Sequence, residues 1–173
     1  MNRVSGLPVN VAAMAVVTNI WRAAQALRST LERTVLGEYG LTWASFSTLY
    51  IVWVWGPIEV RAIARSQGVS RATVTTKVDT LERRELVRRR REGRDRRLVT
   101  VELTPEGRSC IELLYPRFNE VEALLVADLS REQQESLAHL LRAVVSSSSA
   151  ISNESEGSRR TRGAEGSRPR RAV

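Results

Sequence analysis

Three groups of side chains in this sequence have types and spacings that could do chemistry with a partner. Arg88–Gly107 reads RRRREGRDRRLVTVELTPEG, with seven arginines among its first ten residues. Guanidiniums set side by side repel one another and weaken a folded state, so the run points to an external anion that receives them. Ser70–Lys77 reads SRATVTTK. Its small residues let a backbone approach a partner closely, and each Thr can donate, accept or offer a methyl. The third group is aromatic: Trp21 beside Arg22, then Trp43, Phe46 and Tyr50. On two buried helices such rings are most simply core or interface.

Other chemistries lack their residues. The sequence has no Gly-x-Ser-x-Gly, no phosphate-binding glycine loop and no paired carboxylate motif. The one His, His139, falls in a helical stretch without an organised partner, which makes it a poor catalytic base and rules against a His-rich zinc site. A single cysteine, Cys110, excludes an internal disulfide framework and fits a reducing cytoplasm. No enzyme, metal or cofactor is expected. Val9–Leu27 is broken by Asn10, Thr18, Asn19, Arg22 and Gln25, so it fails as a membrane span.

The net charge of +8 is unevenly placed. Residues 57–104 hold thirteen basic and seven acidic groups, whereas residues 105–152 hold four and seven. Only Lys77 among the 27 basic residues is lysine. GC-rich codon usage accounts for Arg in place of Lys, but not for the clustering. A basic block of this kind is the footprint of a polyanionic partner.

The elements that must position these residues follow from periodicity. Val9, Ala13, Val16, Val17, Ile20, Ala24, Leu27 and Leu31 recur at helical spacing from about residue 8 to about 36, where Gly37 and Gly40 stop the pattern. Thr42 caps a second helix, WASFSTLYIVWVW, which is apolar on nearly every side and therefore expected at the centre. After Gly56-Pro57, IEVRAIARSQ reads as a short helix with Val60, Ile63 and Ala64 inward. Gly68 turns the chain and Ser70 caps RATVTTKVDTLERRE, whose Val74, Val78 and Leu81 form one narrow inward stripe. That is a helix-turn-helix over about 58–84. Two strands joined near Glu92–Asp95 make a hairpin over about 86–103. Thr104-Pro105-Glu106 opens a helix to about 128 that Pro116 should kink. Ser130 and Gln133 form a capping box for a last helix to about 146. Residues 147–173, serine- and arginine-rich with almost nothing apolar, read as disordered. The fold class is mostly α with a small β-wing, the winged helix-turn-helix embedded between N- and C-terminal helices.

GPIEVRAIARSQGVSRATVTTKVDTLERRELVRRR, followed by DRRLVTVELTPEG, closely resembles the MarR/SlyA family of winged-helix transcription regulators, and LTWASFSTL fits the same pattern. The resemblance covers residues 9–146, the folded domain assigned to 1–146. Its most specific element is Asp95-Arg96-Arg97 followed by Val101-x-Leu103-Thr104 downstream of the helix-turn-helix. Two positions depart from the family: Ser45 replaces a frequent glutamine, and Glu85 stands where glycine is usual. If that backbone is left-handed, Glu costs roughly 1 kcal/mol relative to Gly.

The resemblance implies a homodimer built by the helices at about 8–36, 104–128 and 130–146, bacterial and cytoplasmic, bound to pseudo-palindromic double-stranded DNA. In that setting Ser70, Arg71, Ala72, Thr73, Thr75, Thr76 and Lys77 face the major groove, with Arg71 suited to guanine and Lys77 to phosphate. Arg94, Arg96 and Arg97 surround a wing tip in the minor groove, and Asp95 pairs with an arginine, Arg97, to orient it. Of Arg88–Arg91, alternate members face opposite sides and half can meet phosphate; otherwise the run is a solvated face. The family also implies a repressor released by a small aromatic or phenolic acid, with Trp21, Arg22, Trp43, Phe46 and Tyr50 as the candidate pocket. The alternatives are a sequence-indifferent nucleoid or nucleic-acid binder and a thiol sensor working through Cys110. For Cys110 a buried, inert thiol is the simpler reading.

Overall fold

The structure, a computed structural model, describes residues 7–91 and 99–165, and side-chain surroundings for 7–90 and 99–151. The chain divides into two compact units, Met1–Leu125 and Val126–Val173.

The first unit opens with α1, Val11–Thr34, capped by Asn10, whose side chain accepts from the Ala13 N–H at 3.0 Å. Only Leu31 of this helix is buried, and Val11, Val16, Val17 and Trp21 stand exposed. A 3₁₀ turn, Leu36–Tyr39, follows, and Gly40 closes it at φ 61°. Helix α2, Trp43–Trp55, starts at the expected Thr42 cap. Phe46, Leu49 and Val52 are buried, but the last turn emerges with Val54 and Trp55 exposed, so α2 is central only through its first three turns.

The next segment differs from the sequence reading. Ile58–Glu59 form a short strand, β1, and the helix α3 begins only at Val60, running to Gln67. The pairing that makes β1 lies far along the chain: Ile58 and Glu59 register with Val101 and Thr100. Gly68 turns the chain at φ 62°. Helix α4, Arg71–Arg83, follows with Val74, Val78 and Leu81 fully buried. Strands β2, Val87–Arg91, and β3, Val99–Leu103, complete an antiparallel sheet in the order β1-β3-β2. Helix α5, Pro105–Leu125, continues on both sides of Pro116 and stops three residues short of Asp128.

One joint fixes α4, β2 and α5 together. Glu85 has φ 58°, so the backbone where the resembling family usually has glycine is left-handed. It closes α4 as a Schellman turn, with Glu85 N–H donating to Glu82 at 2.9 Å and Leu86 N–H to Leu81 at 3.0 Å. Thr104 donates to the Glu85 carbonyl and accepts from the Gly107 N–H at 2.9 Å. Gly107 packs so tightly that a Cβ there would lie 1.8 Å from the Leu86 carbonyl oxygen.

The second unit is α6, Arg131–Glu165. Its capping box is formed: Ser130 N–H donates to Gln133 Oε1 at 2.8 Å, and Gln133 N–H to Ser130 Oγ at 3.3 Å. The helix continues well past Ser146, where the sequence was read as losing order. Low apolar content removes a reason to pack, not the ability of the backbone to propagate a helix, and no proline falls between Arg131 and Pro169. Ser147 and Ser149 donate back to Ala143 and Val145, both at 3.1 Å.

Candidate nucleic-acid interface

Three apolar side chains pull one face of α4 into the core, so the opposite face has to be outward. Ser70, Arg71, Ala72, Thr73, Thr75 and Thr76 are all exposed, as the sequence predicts. Ser70 is engaged as the N-cap, accepting from the Thr73 N–H at 3.1 Å and lying 2.8 Å from the Thr73 hydroxyl. Thr75 and Thr76 donate to the carbonyls of Arg71 and Ala72, at 2.9 and 3.2 Å. With its hydrogen committed, each of these hydroxyls presents lone pairs and a methyl outward.

Lys77 does not stand ready for phosphate. It is half-buried, and its ammonium donates to Gln67 Oε1 at 2.6 Å. Gln67 in turn donates to Thr48 Oγ1 at 3.1 Å, so a polar chain ties α4 through α3 to α2. Burial pushes the Lys77 pKa down. Helical position alone placed this residue at the rim; its long stem lets the head turn inward to the nearest acceptor.

The arginine run has an internal answer that composition alone does not reveal. Arg88 donates to Glu102 at 2.6 Å, and Arg90 lies 3.6 Å from the same carboxylate. The Arg88 hydrogen bond is the first cause that holds Glu102 below its ordinary pKa, with the charge of Arg90 adding to it. Arg89 pairs with both Asp79 and Glu82 of α4. The signal was present, since Arg88 lies across from Glu102 once the hairpin register is set. Arg94, Asp95, Arg96 and Arg97 lie outside the described residues.

A second missed contact locks the far end of α4. Arg84 donates to the carbonyls of Gly40 at 2.6 Å and Tyr39 at 2.7 Å. On its other side the same turn meets α5, where Arg117 pairs with Glu38. Between the N-terminal part of α4, the start of α3 and the sheet lies an open cleft of about 450 Å³, lined by Glu59, Arg61, Arg71, Thr75 and Arg89 among others.

The aromatic group separates into two sets. Trp43, Phe46 and Tyr50 line a hollow of about 280 Å³ together with Ser47, Ile51, Tyr115, Phe118 and Glu122. Phe46 stacks on Phe118 at 4.4 Å and Tyr50 on Tyr115 at 5.5 Å. The hydrogen bond with Tyr50, followed by burial, pushes the Tyr115 pKa up to about 12. Trp21 and Arg22 are not part of this hollow; both are exposed on α1. Cys110 is half-buried, and burial raises its thiol pKa, which works against a reactive thiolate. Among the described residues, no cluster of three or more His, Cys, Asp or Glu could hold a metal, and no helix is long and apolar enough to cross a membrane.

Comparison with known proteins agrees with this geometry. Residues 41–99, from the start of α2 to the start of β3, match the MarR family. The chain is 42% identical over 147 residues to the uncharacterised HTH-type transcriptional regulator YwaE of Bacillus subtilis, covering 83% of this chain and 86% of that protein. A MarR mutant from E. coli, solved in complex with operator DNA, has the same fold with a TM-score of 0.70 at 22% identity, over 77% of this chain and 95% of that one. So has BpsR of Bordetella bronchiseptica, whose DNA binding is regulated by 6-hydroxynicotinic acid, with a TM-score of 0.69 at 24% identity over 76% and 98%. A helix-turn-helix with the polar face of α4 outward, backed by a three-stranded wing sheet and matched along most of a regulator's length, places this chain in the MarR family of DNA-binding transcriptional regulators.

Proposed function

We propose that this protein is a homodimeric, sequence-specific repressor that acts on chromosomal DNA in the bacterial cytoplasm. The observation that carries the reading is the division of α4 into a fully buried stripe, Val74, Val78 and Leu81, and an exposed face of Arg71, Ala72, Thr73, Thr75 and Thr76. That face has the size and chemistry to enter a major groove, with Arg71 free to reach guanine and the threonines supplying acceptors and methyls. The apolar side chains exposed along α1 (Val11, Val16, Val17, Trp21) and α6 (Leu137, Leu140, Val144) support a second copy as their cover. In this reading the wing-tip residues Arg94, Arg96 and Arg97 meet the minor groove, with Asp95 orienting them.

The test is fluorescence anisotropy of a labelled duplex from upstream of the protein's own gene against a scrambled duplex, at two salt concentrations. A preference of about 10³-fold, on a steep salt dependence, is the expected result. Equal affinity for the scrambled duplex and for duplexes selected from a random pool means charge-only binding and overturns the reading. Light scattering gives the subunit number.

The hollow between α2 and α5 supports release of the repressor by a small aromatic acid. Its walls are stacked rings, and Ser47 and Glu122 at its edge give a ligand polar groups to meet. 6-Hydroxynicotinic acid and hydroxybenzoic acids are the first probes, with loss of anisotropy as the readout. A coupling of about 1–3 kcal/mol lowers affinity by roughly 5- to 150-fold.

A further inference from the structure

Arg89 makes more contacts than Arg88 or Arg90. Its backbone N–H donates to Glu82 Oε1 at 3.0 Å, and its guanidinium donates to the other oxygen of the same carboxylate. It also donates to Asp79 Oδ1 at 2.5 Å and to the Thr75 carbonyl at 3.4 Å. Thr75, Asp79 and Glu82 are spaced i, i+4 and i+7, one stripe of α4, and that stripe borders the exposed Thr76. One side chain from the wing sheet therefore grips two turns of the recognition helix.

Two features of this node do not suit a phosphate ligand. The Arg89 side chain is only 27% exposed and lies between two carboxylates. Asp79 and Glu82 in turn put negative charge on the helix that approaches a polyanion, where each carboxylate alone weakens binding. A planar guanidinium is the group that can span both, because its fork offers several donors in fixed directions.

We infer that Arg89 is a positioning residue for DNA reading. It sets the angle between wing and recognition helix so that both meet the duplex together, with Asp79 and Glu82 as its receptors. The inference rests on the sequence-reading function proposed above. It goes beyond that reading in giving two acidic residues at the interface a role that strengthens binding, against the sign of their charge.

That sign supplies the test. Wild-type protein first selects a duplex from a random-sequence pool, and Glu82→Gln, Asp79→Asn and Arg89→Lys are then compared on that duplex and on a scrambled one. Thermal unfolding of each variant confirms that it is folded at the assay temperature. The expected result for Glu82→Gln is a loss of about tenfold or more on the selected duplex, with unchanged or tighter binding to the scrambled one. Arg89→Lys keeps the charge but cannot span both carboxylates, and it loses a similar factor on the selected duplex. The double variant Glu82→Gln/Arg89→Lys is no worse than either single change, because the residues act through each other. Tighter binding of Glu82→Gln to both duplexes would mean that charge alone matters, and equal losses on both would mean a merely structural pair; either overturns the inference. A wild-type protein that selects no duplex overturns the sequence-reading function itself, and this inference with it.

Discussion

The strand β2 and the outer face of α4 lie next to one another and are built on opposite terms. Strand β2 carries the densest charge in the molecule, yet Arg88 and Arg90 share Glu102 and Arg89 is held by Asp79 and Glu82. The α4 face of Arg71, Ala72, Thr73, Thr75 and Thr76 carries one charge, and the Thr75 and Thr76 hydroxyls are engaged with their own helix. Density of charge is therefore a poor guide to which residues are left for a partner. What matters is whether a side chain's hydrogen-bonding capacity is already committed.

Four changes would break or sharpen that comparison. The largest effect is expected at the joint shared by both regions. Gly107→Ala places a Cβ 1.8 Å from the Leu86 carbonyl oxygen, so α5 must move away from the start of β2. A loss of about 3 kcal/mol in urea unfolding is expected. Arg71→Ala removes the exposed guanidinium at the start of α4 and should cost about 1–3 kcal/mol of operator affinity with the melting temperature unchanged. A matching drop in melting temperature would show that Arg71 is structural after all. Glu85→Gly relieves the backbone at φ 58° and should raise stability by about 1 kcal/mol without altering operator affinity.

The smallest effect concerns the committed charge of β2. Glu102 has its pKa lowered in the fold by Arg88 and Arg90, so the stability it contributes is present above its unfolded pKa and fades as pH falls through its folded one. Wild type should be slightly more stable than Glu102→Gln at pH 7, and the two should converge once pH has fallen below the ordinary carboxylate range. Because both arginines are well exposed, salt should shrink the difference at neutral pH as well.

The parts of this fold legible in the sequence are those whose causes sit within a few residues. The caps at Thr42 and Ser70, the capping box at Ser130 and Gln133, and the stripe of Val74, Val78 and Leu81 are all local signals, and all are found in place. The left-handed turn at Glu85 was flagged only through the glycine that the resembling family usually has there, not by Glu85 itself. Strand β1 was not legible, since two residues become a strand only through partners at Thr100 and Val101. The inward turn of Lys77 depends on where Gln67 and Thr48 fall once three helices have packed. Arg84, donating across more than forty positions to Tyr39 and Gly40, left no mark that a window of sequence could carry. In the aromatic hollow, α2 was anticipated but Tyr115 and Phe118 from α5 were not, because the facing of two helices is a property of the packed unit.

The tethering of α4 has a mechanical consequence. Its C-terminal end is stapled by the Glu85 turn, by Arg84 on the carbonyls of Tyr39 and Gly40, and by Thr104 on Glu85. Arg71 and the first threonines sit at the opposite end of a helix of 13 residues, a rod about 20 Å long. Rotated as one body about that end, the rod magnifies small angles: a tilt of about 5° carries Arg71 through nearly 2 Å, and Val74, Thr75 and Lys77 have to shift with it. That displacement is more than a hydrogen bond to a base edge tolerates. In the DNA-reading role proposed above, movement of the Leu36–Tyr39 turn, where α5 and Arg84 both take hold, would therefore shift Arg71 relative to a duplex.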